Sequence, residues 1–157
     1  MIVAKRINEL IRLSQFDALA NLEEIWVFGY GSLCWLPGFK YGDSVVGHVQ
    51  GFARRFWQGN ATHRGTKEKP GRVATLIDDP RSQTHGVAFQ LLGDSALEYL
   101  NNREVTLGGY VNHMTTFYPA GAGGRNPFPV LLFMATPSND LWLGSAPLED
   151  IAEQVRL

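Results

Sequence analysis

The chain has 157 residues, a length typical of a single domain, and 45% of them are hydrophobic, which is enough to build a buried core. Its 14 lysines and arginines against 15 aspartates and glutamates leave a formal net charge of -1, so composition argues against a nucleic-acid or membrane partner. The single cysteine excludes an internal disulfide, and the four histidines lack metal-ligand spacing, so we expect no metal site.

Apolar residues recur at helical spacing between residues 2 and 20, which predicts an amphipathic helix before the first strand. We assign residues 1–24 to an N-terminal helical extension and residues 25–157 to one domain. The N-terminal residues lack the apolar core and cleavage site of a signal peptide, and no run reaches the roughly 20 apolar residues of a membrane span. We therefore expect a cytoplasmic protein.

A short apolar run at residues 25–28 ends in Gly29 and Gly31, which flank Tyr30 and precede Ser32. This pattern is typical of a buried strand entering a tight turn, because glycine tolerates backbone angles that cost other residues energy. Backbone amides that converge at such a turn form a site for a carboxylate or a developing oxyanion. A purely structural glycine turn explains the same residues, so this pattern by itself leaves both interpretations open.

The rest of the chain is rich in strand-like segments, which are residues 44–57, 72–77, 85–91, 110–118 and 129–136. One helix is predicted to begin at Asp94 or Ser95, and another near Pro147. Many strands with few helices favour an α+β domain with a largely antiparallel, curled sheet. The glycine-rich residues 120–126 predict a loop within that domain.

Basic and aromatic residues are interleaved at residues 54–59, and further basic residues follow as far as Arg72. Nearby acidic residues and the slightly negative total charge favour sheet-edge arginines that pair with local carboxylates. A substrate-facing arginine is the alternative. Arg64 disfavours the protonated form of the adjacent His63, which therefore suits hydrogen bonding better than proton transfer.

Glu104 lies near the end of the predicted helix and is followed by Val105 and Leu107. The helix dipole and this apolar setting both disfavour the charged carboxylate, which suits a group that takes and returns a proton. A solvated or ion-paired surface glutamate beside Arg103 is the ordinary alternative.

Eight motifs occur in a characteristic order, at residues 26–33, 54–59, 63–65, 69–73, 86–88, 103–104, 108–110 and 146–152. Together they resemble the ChaC-like family, the glutathione-specific γ-glutamylcyclotransferases, over nearly everything after residue 25. The resemblance implies a compact mixed α/β fold with a small barrel-like sheet. It also implies cleavage of glutathione into 5-oxoproline and cysteinylglycine, with no cofactor.

The resemblance further implies that Glu104 moves the proton in this reaction. It assigns substrate binding to the first strand and its turn, which are Val27, Phe28, Gly29, Tyr30, Gly31, Ser32 and Leu33. These residues either stabilise the oxyanion or hold the α-carboxylate of the substrate, and Tyr30 supplies a wall or a hydroxyl. Because the substrate amine is itself the nucleophile, we expect Cys34 to be a buried structural thiol.

Members of the family usually continue beyond the helix near residues 146–152, whereas this sequence ends at Leu157. We therefore expect the C-terminal part of the family domain to be absent, and an oligomer is possible if a partner chain supplies it. Two alternatives to the main hypothesis remain. One is a cyclotransferase for another γ-glutamyl amine, and the other is a non-catalytic γ-glutamyl-binding or regulatory domain.

Overall fold

The computed structural model describes residues 25–62, 64–92, 110–121 and 125–155. These ranges contain five strands, a 3-10 helix and one α-helix, which are β1 (Ile25–Gly29), the 3-10 helix (Ser32–Cys34), β2 (Tyr41–Asn60), β3 (Gly71–Leu91), β4 (Tyr110–Pro119), β5 (Phe128–Ala135) and α1 (Leu148–Val155). The predicted helix near Pro147 is confirmed. The predicted N-terminal helix and the helix bearing Glu104 lie outside the described residues. No helix in the described ranges is long and apolar enough to cross a bilayer.

The strands form a closed barrel in the order β1-β3-β2-β4-β5. β1 is antiparallel to β3, and β2 lies antiparallel between β3 and β4. β5 is antiparallel to β4 and closes the barrel by pairing in parallel with β1, where Val27 lies opposite Leu131. The expected small, largely antiparallel barrel is therefore confirmed for the described part of the chain.

Two predicted strands, residues 72–77 and 85–91, are parts of the single strand β3. Asp79 and Pro80 lie between them, and both residue types are depleted in strands, so the sequence predicted a break. β3 instead continues, with a shift in its register against β2 between the pairs Gln50–Gln83 and Phe52–Asp78. The prediction of two separate strands is wrong because such an irregularity bends a strand without ending it.

β1 is buried on both of its faces, which explains its continuous apolar sequence. Phe28 belongs to the larger core cluster with Val49 and Phe117, whereas its neighbour Val27 packs in a second cluster with Leu131. Successive side chains of a strand point to opposite faces, so the two clusters hold β1 from two sides. The turn that follows β1 therefore starts from a fixed position.

A buried arginine attaches α1 to the barrel. Arg72, at the start of β3, is only 6% exposed. Its guanidinium donates hydrogen bonds to the carbonyl oxygens of Phe56 and Gly144 and to Oε1 of Gln154 in α1. Arg72 therefore links three separate segments of the chain.

Candidate active site

Neither of the two glycines that follow β1 has a positive φ. Gly29 and Gly31 are not among the described glycines with positive φ, and Gly31 has a φ of -134°. A Cβ atom at Gly29 would lie 3.0 Å from Cβ of Leu33 and 3.2 Å from the ring of Phe89. At Gly31 the nearest atom would be Cβ of Ala74, at an ordinary 3.7 Å. Close approach therefore explains Gly29, and Gly31 combines its φ of -134° with a ψ of -129°, outside the regions that other residues favour.

Three consecutive amides at the start of the 3-10 helix and at its N-cap have no partner among the described residues. The amides of Cys34 and Trp35 donate to the carbonyl oxygens of Gly31 and Ser32, at 3.0 Å in each case. Within the described ranges, no residue accepts a hydrogen bond from the amides of Gly31, Ser32 or Leu33. The first amides of a helix lack partners within it. A ligand at this turn thus meets a dense group of donors that carry no charged side chain.

Tyr30 anchors the turn to β5, the strand that closes the barrel by pairing with β1. Its Oη donates a hydrogen bond of 2.6 Å to the carbonyl oxygen of Phe133 in β5. Its ring lies against the core, with its centroid 6.2 Å from that of Phe28. The hydroxyl proton of Tyr30 is therefore used in a hydrogen bond that holds the turn against β5.

Cys34 is half-buried, and its thiol lies against the turn. Sγ donates a hydrogen bond of 3.2 Å to the carbonyl oxygen of Gly29. Burial raises the pKa of the thiol, and the positive charge of Arg54 and a backbone hydrogen bond at Val87 only partly oppose that rise. A raised pKa keeps the thiol neutral, which agrees with a structural role and not with a nucleophile.

Three arginines of β2 and β3 bind carbonyl groups, and these are Arg54, Arg55 and Arg72. Arg54 donates to the carbonyl oxygen of His85, Arg55 donates to that of Arg54, and Arg72 makes the contacts given above. Among the described residues, none of these three arginines forms an ion pair with a carboxylate. The favoured interpretation, pairing with local carboxylates, is therefore wrong for Arg54 and Arg72. Hydrogen bonds from Ser82 and Arg81 lower the pKa of the Asp79 carboxyl, and the charge of Arg55 adds to that effect. Sequence reasoning missed the burial of Arg72, because only the fold reveals the carbonyls around it.

The predicted site residues thus divide into two groups. Val27 and Phe28 are 0% and 1% exposed, so their side chains support the turn from within the core. Gly31, Ser32 and Leu33 present the amides that have no partner in the described part of the chain. Glu104 and His63 lie outside the described residues.

A comparison with protein families identifies the family of this chain. Residues 25–157 match the model of the ChaC-like protein family. The chain belongs to the ChaC-like family. This match covers every strand of the barrel and the turn after β1.

Curated relatives of this ChaC-like chain are named glutathione-specific gamma-glutamylcyclotransferase 1. It is 51% identical over 136 residues to human glutathione-specific gamma-glutamylcyclotransferase 1, covering 85% of this chain and 61% of that protein. It is 46% identical over 142 residues to the protein of the same name from Danio rerio, covering 88% of this chain and 72% of the relative. The chain thus spans about three-fifths of the length of its human relative.

A solved structure agrees with the ChaC-like barrel. The crystal structure of a γ-glutamyl cyclotransferase specific to glutathione from yeast is similar, with a TM-score of 0.75 and 26% sequence identity. The similarity covers 85% of this chain and 78% of the yeast chain. The described part is accordingly a mostly-sheet small barrel of the kind seen in that protein.

Proposed function

We propose that this chain is a glutathione-specific γ-glutamylcyclotransferase, which converts glutathione into 5-oxoproline and cysteinylglycine. The observation that carries the proposal is the turn after β1, where the amides of Gly31, Ser32 and Leu33 lack partners among the described residues. The name of the human relative, at 51% identity, supplies the reaction.

The proposed reaction is an intramolecular displacement. The α-amine of the γ-glutamyl group attacks the γ-carbonyl carbon, a lactam ring closes, and the bond to the cysteinylglycine nitrogen breaks. The amine loses a proton and the leaving nitrogen gains one, so a single carboxylate can serve as base and then as acid. We assign this proton transfer to Glu104. Nucleophile and leaving group both belong to the substrate, so the reaction requires no cofactor.

The turn would act on the charge that the reaction creates. When the amine attacks, the γ-carbonyl oxygen becomes negative, and backbone amides stabilise such an oxyanion without a charged side chain. Removing one donor of this kind typically costs about 2.7–4 kcal/mol of transition-state stabilisation. Holding the α-carboxylate of the substrate is the second task that the same amides suit.

The packing of β1 supports either role because it keeps the donors in place. Val27 and Phe28 are buried in different clusters, and Tyr30 is bonded to β5. A rigid turn also favours the folded γ-glutamyl arm, in which amine and carbonyl are close together. We further propose the cytoplasm as the compartment, where thiols such as Cys34 stay reduced.

The test is incubation of the protein with glutathione and measurement of 5-oxoproline, for the unmodified chain and for Glu104→Gln. We expect turnover by the unmodified chain and a fall of about 10²–10⁴-fold in kcat for Glu104→Gln, the usual contribution of proton transfer. Glu149→Gln is the matched control, because Glu149 is exposed on α1 and should retain full activity.

Full activity of Glu104→Gln would show that another group moves the proton. Binding of glutathione without 5-oxoproline would favour a non-catalytic domain. Turnover of a different γ-glutamyl amine, with none of glutathione, would leave the reaction in place and change the substrate.

A further inference from the structure

A polar groove of about 280 Å³ lies between β2 and the second half of β3. Its polar lining residues are Arg54, Arg55, Ser82, Gln83, Thr84 and His85. The two arginines are its charged groups, and no carboxylate occurs among the described residues that line it. Asp79, which accepts a hydrogen bond from the lining residue Ser82, is the neighbouring carboxylate, and the two arginines outweigh its charge, so the groove favours an anion.

Arg54 lies on the same face of the sheet as the residues beneath the turn. It is paired with Leu76, a fully buried core residue, and paired residues of neighbouring strands share a face. Ala74 is two positions before Leu76 on β3 and so shares that face too. A Cβ at Gly31 would contact Ala74, so the turn and Arg54 meet at one end of the barrel.

The hydrogen bond of Arg54 to β3 also places its guanidinium near the same turn. Its Nη2 donates to the carbonyl oxygen of His85, and His85 is two residues before Val87, the partner of Gly29 in the ladder. The charge of Arg54 also acts on the Cys34 thiol, opposing the effect of burial on its pKa. The guanidinium is therefore close enough to the turn to influence it electrostatically.

The guanidinium of Arg54 retains donors for a ligand. Arginine has five N–H donors in a rigid planar fork that matches the two oxygens of a carboxylate. The described residues accept a hydrogen bond from only one of its atoms, Nη2, which binds His85. That bond orients the fork, and Arg54 lines the open groove.

We propose that Arg54 binds the carboxylate at the leaving end of the γ-glutamyl substrate, which in glutathione is the glycine carboxylate. This inference rests on the function proposed above. Glutathione carries two carboxylates at opposite ends, and the turn after β1 accounts for the γ-glutamyl end only. A cation that lines a groove and acts on Cys34 of the turn matches the other end and selects substrates that carry a charge there.

The experiment compares glutathione with its glycine monoethyl ester, which lacks the charge on the glycine carboxylate. For the unmodified protein we expect the KM for the ester to be about tenfold higher than for glutathione, with a similar kcat. Arg54→Gln should raise the KM for glutathione by about the same factor and leave the KM for the ester unchanged. Arg54→Lys, which keeps the charge without the fork, should be intermediate. Arg64→Gln removes an exposed charge elsewhere and serves as the control.

Calorimetric titration of both ligands into Glu104→Gln, with and without Arg54→Gln, measures the same preference without turnover. Absence of 5-oxoproline would defeat the proposed function, and the titration would still decide the role of Arg54. Equal affinity for glutathione and its ester would overturn the inference. So would an Arg54→Gln effect of equal size on both ligands, because Arg54 would then contact another part of the substrate. Loss of the preference in Arg54→Gln alone, with an unchanged circular dichroism spectrum, would support it.

Discussion

At the scale of single residues, the sequence identified the turn but not the reason for its first glycine. Glycine before a turn indicates special backbone angles, and that inference needs only local sequence. The observed reason is the close approach of Leu33 and of Phe89, which is 60 positions away along the chain. A contact of this kind between neighbouring strands cannot be predicted until the pairing of β1 with β3 is known. The same limit applies to the carbonyl partners of Arg54 and Arg72.

This difference between the two glycines predicts different costs of substitution. Gly29→Ala would force Leu33 or Phe89 to move and should lower the free energy of unfolding by about 1–3 kcal/mol, as overpacking of a core does. Gly31→Ala is the matched variant, because the added methyl group meets only an ordinary contact with Ala74. Urea denaturation followed by fluorescence measures both. Unchanged stability of Gly29→Ala would contradict the packing explanation, whereas a loss in Gly31→Ala would reflect its backbone angles.

At the scale of elements, local sequence patterns predicted a strand or helix correctly where that element has a clear apolar run or a clear boundary residue. β1 was recognised from its apolar run, and α1 from the proline that precedes it. The continuity of β3 could not be predicted, because Asp79 and Pro80 have the composition of a turn and only the pairing with β2 keeps the strand together. The attachment of α1 also depends on a long-range contact, that of Arg72 with Gln154.

The role of Arg72 as an anchor leads to a prediction for α1. Arg72→Met keeps much of the side-chain volume but leaves the carbonyl groups of Phe56 and Gly144 without this donor. We expect a loss of about 2–4 kcal/mol in unfolding free energy, since buried hydrogen bonds to charged groups are worth about 1.5–3 kcal/mol each. Hydrogen exchange should accelerate in Leu148–Val155 more than in β1.

The exposed Arg64 provides the control for this experiment, since Arg64→Gln removes the same charge and should leave both stability and exchange unchanged. If Arg72→Met leaves exchange in α1 unchanged as well, the helix is held by other contacts and the anchor assignment is wrong.

At the scale of the whole molecule, the strand pattern predicted a largely antiparallel, curled sheet and the family resemblance implied a small barrel, whereas the order of the strands came only from the structure. Closure depends on the parallel pairing of Val27 with Leu131, two segments far apart in sequence with no motif that relates them. This closure brings Phe133 within reach of Tyr30 and so fixes the turn. The proposed catalytic role of Glu104 rests on the family motif, and it stays a prediction.

The central claim is that the substrate's own amine cleaves its γ-glutamyl bond, and product analysis tests it most directly. The protein should convert glutathione into 5-oxoproline and cysteinylglycine in equal amounts, measured by mass spectrometry. Glutathione acetylated on its α-amine should yield neither product, because the nucleophile is blocked. Release of free glutamate instead of 5-oxoproline, or cleavage of the acetylated compound, would show that water is the nucleophile and would contradict the account.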